Sequence, residues 1–314
     1  MIQTPKSFYF AVALVLLTVQ AQAASEAFSS GAFGSFSRLL SAPVKTLVTG
    51  LPAVRALSDE DNLLDLMGDS EPAVRAQAAK SLRTYVLTSY RVENRLLDAA
   101  GDRNEKPEVR REAIKSLAWA AQHYNTKSRI LAIAGSSSEA EDLRQIAYKS
   151  LYAVVSLEYS VRSALQSALG RSSEPLAVRR AAAWTLWADG ADYSSRNALL
   201  SALETSEPEA LRVEAAKSLF GQMSEYSVKN KVWDIARDAG ESEAVREAAV
   251  LCLLLINQDY AVKSFLESTA RSDRNPVIRV AAVKALQPAI SAELAGYFHL
   301  AYHLGRSIDP LENQ

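Results

Sequence analysis

The sequence predicts an all-α solenoid built from seven tandem two-helix units, and three observations carry that prediction. An arginine-centred segment recurs seven times at nearly constant spacing. Alanine and leucine hold the same columns of that segment in every copy, at helical offsets. Glycine and proline are sparse, 12 and 10 of 314 residues, as helix-rich chains require.

The segments are PAVRAQAAKSL around Arg75, PEVRREAIKSL around Arg110, EDLRQIAYKSL around Arg144 and LAVRRAAAWTL around Arg179. EALRVEAAKSL around Arg212, EAVREAAVLCL around Arg246 and PVIRVAAVKAL around Arg279 complete the set. Successive arginines stand 35, 34, 35, 33, 34 and 33 residues apart, the signature of a structural repeat. The residue before each arginine is aliphatic, the third after it is alanine, and the seventh after it is leucine. These offsets fall one turn apart on one helical face, so they predict a buried stripe. An alanine in every copy predicts a helix contact too close for a larger side chain.

A tyrosine column marks the other helix of each unit: Tyr90, Tyr124, Tyr159, Tyr193, Tyr226 and Tyr260. Asn125, Ser160, Ser194 and Ser227 follow directly and are expected to be N-caps. Apolar residues recur six positions after each tyrosine. Polar joints such as Ser173-Glu174-Pro175 and Ser206-Glu207-Pro208 separate the two helices, with proline suited to the first turn of the second.

These repeats resemble the HEAT family, in particular the short HEAT-like repeats named after phycobilisome lyases, whose pattern is similar to V-R-x-x-A-x-x-x-L. The resemblance covers residues 58–290 and implies a right-handed superhelix. Tetratricopeptide repeats have a similar period, but the arginine column opening the second helix and the proline ahead of it are HEAT-like.

The flanks differ from the array. Lys6, the apolar run Phe8–Val19 and Ala21-Gln22-Ala23 together read as an export signal, residues 1–23, cleaved after Ala23. The run is shorter than the roughly 20 residues of a membrane span. Residues 24–57 read as a linker and N-terminal cap, and 291–314 as a C-terminal capping helix and tail. The expected location is therefore the periplasm or the exterior. After cleavage 34 basic residues face 36 acidic ones, so no global positive field draws in nucleic acid. The one cysteine, Cys252, lacks an intrachain partner and reads as a small buried hydrophobe.

Little in the sequence points to catalysis. The hydroxylase related to these repeats uses His-Glu pairs as di-iron ligands, and the resemblance would carry that activity only with those pairs. His123, His299 and His303 are the histidines, and none precedes a glutamate. His299 and His303 stand four apart, as two ligands of one metal would, but lack a third partner at helical spacing. No phosphate loop or Ser-His-Asp set occurs. No cofactor or metal is expected.

A solenoid presents one continuous surface built from its second helices. Five residues after each arginine stand Lys80, Lys115, Lys149, Trp184, Lys217, Leu251 and Lys284. Eight after it the central units carry Tyr152, Trp187 and Phe220, and Arg180 adds charge one residue after Arg179. These positions point away from the buried stripe at 100° per residue. They predict a groove in which Trp184, Trp187, Tyr152 and Phe220 anchor a protein or peptide, and Lys149, Arg180 and Lys217 steer an acidic one. The expected function is a non-catalytic protein-interaction scaffold. The rival implied by the resemblance is an enzyme or chromophore-handling accessory, since the lyases attach open-chain tetrapyrroles.

Overall fold

A computed structural model describes residues 56–287. The expected signal peptide, most of the N-terminal cap, the C-terminal helix, and His299 and His303 lie outside the described residues.

Fourteen α-helices form seven pairs among the described residues, with no strand. The first helices are α1 (Ala56–Leu66), α3 (Tyr90–Gly101), α5 (Tyr124–Gly135), α7 (Tyr159–Gly170), α9 (Tyr193–Ser201), α11 (Tyr226–Arg237) and α13 (Tyr260–Ser272). The second helices are α2 (Pro72–Ser81), α4 (Pro107–Leu117), α6 (Glu141–Lys149), α8 (Leu176–Leu186), α10 (Glu209–Leu219), α12 (Glu243–Cys252) and α14 (Pro276–Ala285). Each helix packs on its partner and on its counterpart in the next unit, which makes the chain an α-solenoid.

The helix starts correct one expectation. Each tyrosine is itself the first helical residue, so Asn125, Ser160, Ser194 and Ser227 lie inside the first turn. The caps come one residue before the tyrosine. Ser89 accepts from the Val92 N–H, Asp192 from Ser194 and Ser195, and Asp259 from Ala261 and Val262. Acceptors there satisfy the orphan N–H groups of the first turn. Pro72, Pro107 and Pro276 open their helices as expected, where a missing N–H costs nothing.

The alanine column is buried in all seven units. The second helices approach one another more closely than the first helices do, so the array bends toward the second-helix layer. A hydrogen-bond column crosses the same interface. Ser116 Oγ donates to the Ala79 carbonyl at 2.8 Å, Thr185 Oγ1 to Tyr148 at 3.2 Å, and Cys252 Sγ to Ala216 at 3.4 Å. Each donor stands six residues after its arginine and each acceptor four after the previous one. Cys252 is buried, and it serves as one more donor in this column. Ser150 holds the same position, but its Oγ has no partner among the described residues.

The repeat arginine ties these layers together. Its Nε donates to a carbonyl at the end of the first helix of its own unit. The acceptors are Ala100 for Arg110 (3.1 Å), Ala134 for Arg144 (3.0 Å), Leu169 for Arg179 (2.8 Å), Leu203 for Arg212 (3.2 Å) and Ala236 for Arg246 (3.0 Å). Its terminal nitrogens reach a carboxylate in the joint of the next unit. The pairs are Arg75–Glu105, Arg110–Glu139, Arg144–Glu174, Arg179–Glu207, Arg212–Glu241 and Arg246–Asp273. At the last described unit the pattern opens. Arg279 is exposed, and Val283 is 56% exposed where its counterparts Ala79, Ile114, Tyr148, Ala183, Ala216 and Val250 are buried.

Hydrogen bonds from Arg75, Arg110 and Arg212 hold Glu105, Glu139 and Glu241 below the usual carboxylate range. Burial works to raise Asp273, but Arg246 and the Asn275 N–H outweigh it and its pKa also falls. Carboxyls depressed in the folded state stabilise it fully above their unfolded pKa, about 4. That stability is lost as the pH falls through the lower folded values. Urea midpoints should therefore hold steady from neutral pH to about 5 and drop below about 4; midpoints unchanged to strongly acid pH would refute the assignment. Arg110→Met strands Glu139 and the Ala100 carbonyl, and should cost about 3–5 kcal/mol in the same assay.

Candidate functional site

The second-helix surface of the central units is assembled by three consecutive pairs. Lys149 ends α6 and Tyr152 lies in the turn after it. Trp184 sits in the last turn of α8, and Trp187 opens the 3₁₀ turn Trp187–Asp189 that follows. Phe220 opens the equivalent turn after α10.

Three of the expected residues meet. The Trp184 ring packs edge-on against Tyr152, with centroids 6.5 Å apart at 71°, and the Lys149 ammonium lies 5.6 Å from the Trp184 centroid. This cluster joins two adjacent units, with the cation placed where an indole face attracts it. Trp184 is 8% exposed, however, so it is a packed member of the surface and no open anchor. Tyr152 and Trp187 remain half-buried and present surface to solvent.

Phe220 does not join them. It is 1% exposed and belongs to the hydrophobic core. The eighth position after the arginine falls beyond the regular helix, and the tightened 3₁₀ turn carries the side chain inward. Leu251 and Leu254 of the sixth unit are buried in the same core. The lysine ladder is also uneven. Lys80 and Lys284 are exposed, while Lys115, Lys149 and Lys217 are half-buried. Arg180 is exposed and lies 3.8 Å from Glu214 of the next unit.

Beside Trp187, Asp189 is buried between Arg162 Nε and Ser195 Oγ, each at 2.7 Å. Burial pushes its carboxyl above the usual range, although both partners oppose the shift. Arg162 also reaches Asp192 at 3.3 Å. Here a first helix fastens the turn on which Trp187 is mounted.

The first-helix layer holds what sequence reasoning used only as a landmark. All six tyrosines of the column are 70–87% exposed. A groove of about 440 Å³ lies between α3 and α5, lined among others by Asn94, Asn125 and Ser128. The overlooked signal was a second column four residues after the tyrosines, Asn94, Ser128, Ser163, Asn197, Asn230 and Ser264, where only asparagine and serine occur. Among the described residues, no three His, Cys, Asp or Glu side chains are grouped to hold a metal, and no helix is long and apolar enough to cross a membrane.

The array geometry agrees with comparison to known proteins. The family model described as HEAT repeats matches residues 60–152 and 196–287, and the chain belongs to the HEAT-repeat family. The stretch between the matches folds into the same unit, α7 and α8. A chain in the solved complex of Kap95p with RanGDP is similar at 16% identity and TM-score 0.53, over 79% of this chain. This chain spans about a third of that one's length, 34%. The CpcE–CpcF complex of phycocyanin lyase from Nostoc sp. PCC7120 is similar at 18% identity and TM-score 0.45, over 78% of this chain and 94% of that one. Human deoxyhypusine hydroxylase aligns at 18% identity and TM-score 0.36, over 86% and 97%. No curated protein matches the sequence.

Because Trp184 packs between Tyr152 and Lys149, Trp184→Ala should lower stability by about 3 kcal/mol. Thermal denaturation reads the cost, and an unchanged melting temperature would mean that the indole is not packed as described.

Proposed function

We propose that this chain is a non-catalytic scaffold that docks a protein or peptide, preferentially an acidic one, on the second-helix surface of its central units. The carrying observation is the Lys149–Tyr152–Trp184 cluster, which spans two units and has half-exposed Trp187 beside it. Aromatic edges held by packing offer contact area at little cost in side-chain entropy. Lys149, Lys217 and Arg180 add positive charge to the same surface and favour an acidic partner. Kap95p, a chain of similar fold, is described as binding RanGDP, in keeping with this use of the surface.

The reading includes export, supported by Lys6, the apolar run Phe8–Val19 and the Ala21-Gln22-Ala23 site. Nucleic acid is not the proposed partner, since acidic and basic residues nearly balance.

Tyr152→Ala combined with Trp187→Ala removes the solvent-facing rings and leaves Trp184 in place. The double variant should retain the wild-type helical circular dichroism and capture at least about tenfold less partner from a periplasmic extract, given two lost aromatic contacts. Undiminished capture would place the docking surface elsewhere.

A further inference from the structure

The exposed tyrosine file on the first helices is independent of that docking surface. Each ring stands on the first residue of a helix, and six successive units repeat it. Neighbouring packed helices lie about 8–10 Å apart, so the rings form a single row whose step is set by the repeat. Tyr193 is braced by its own helix, with the Arg196 guanidinium 5.9 Å from the ring centre. It is still 71% exposed, so the brace orients the ring without covering it.

One turn further along each helix stands asparagine or serine, on the same face as the tyrosine. Between α3 and α5 this column lines the groove described above, through Asn94 and Ser128. Asp98 and Arg129 also line it.

The charges beside the row are largely cancelled. Lys127 pairs with Glu158 at 2.7 Å, Arg162 with Asp189 and Asp192, Arg196 with Glu225 at 3.6 Å, and Lys229 with Asp259 at 2.7 Å. In the second unit the sign is inverted: buried Glu93 accepts from Thr126 and contacts His123 Nδ1 at 2.9 Å. A row of rings without a net positive groove is unsuited to nucleic acid, which needs cations along its backbone. A globular protein partner needs a compact patch with a dry centre, and single-file rings separated by ion pairs do not make one.

We infer that this row binds an extended, uncharged polysaccharide, specifically a β-1,4-linked glycan. Pyranose rings offer flat faces of C–H groups that stack on aromatic rings, and their equatorial hydroxyls suit amide and hydroxyl side chains. In a β-1,4 ribbon every second sugar presents the same face, and that disaccharide step is comparable to the helix-to-helix step of the row. Tyrosine supplies area with a polar tip, and asparagine and serine supply adaptable hydrogen bonds.

The test uses the full-length chain, insoluble cellulose and chitin as two separate probes, and calorimetry with cellohexaose and chitohexaose. Wild type should be retained on at least one polymer, equally at low and high salt. Tyr159→Ala, Tyr193→Ala and Tyr226→Ala together should weaken binding by about tenfold or more with unchanged helical circular dichroism. The corresponding triple phenylalanine variant keeps the rings and should still bind. The Tyr152→Ala, Trp187→Ala variant should bind glycan like wild type, which separates this inference from the scaffold reading. No wild-type retention on either polymer, retention abolished by salt, or full retention by the triple alanine variant would overturn it. So would a tyrosine row whose loss removes a protein partner while glycan binding is absent.

Discussion

The architecture depends on one guanidinium per unit. Stacked apolar helices can slide or rotate by small amounts at modest cost, because hydrophobic burial is non-directional. The repeat arginine removes that freedom. Its rigid fork meets a helix-end carbonyl in its own unit and a carboxylate in the next, and a small shift loses both. Buried ion pairs often contribute little net stability once desolvation is counted. Here the pair's contribution is register, repeated six times along the described array.

Half of this device was legible in the sequence. The arginine column is the most regular feature of the chain, and the aliphatic, alanine and leucine columns around it fixed the helical face that is now buried. The carboxylate half was hidden. Its distance from the arginine drifts between 27 and 30 residues because the joints differ in length, and the partner alternates between glutamate and aspartate. No fixed column could show it. The Ser116, Thr185 and Cys252 donors did form a column, but a small polar residue beside a conserved-looking leucine looks the same whether it faces solvent or a neighbouring carbonyl.

The candidate surface was legible as a list of positions and not as a set of exposures. A helical wheel places Trp184, Trp187, Tyr152 and Phe220 on one side of a helix. It does not say how near the adjacent unit stands or where the helix stops. The close approach of α6 and α8 brought Tyr152 and Lys149 onto Trp184, and the 3₁₀ turn after α10 drew Phe220 into the core. The tyrosines illustrate the converse. They were read as markers of helix starts, and their exposure follows from standing at the first helical residue, ahead of the buried stripe.

The two layers also differ in stiffness. Along the inside of the bend, alanines in contact leave almost no room to compress, so that layer acts as an inextensible rail. On the outside, neighbouring helices are joined by lysine and arginine side chains reaching across to carboxylates, and such flexible tethers lengthen or shorten through rotamer changes. Under load the chain should therefore flex like a leaf spring, changing its curvature by spreading or closing the outer layer while the inner contour keeps its length.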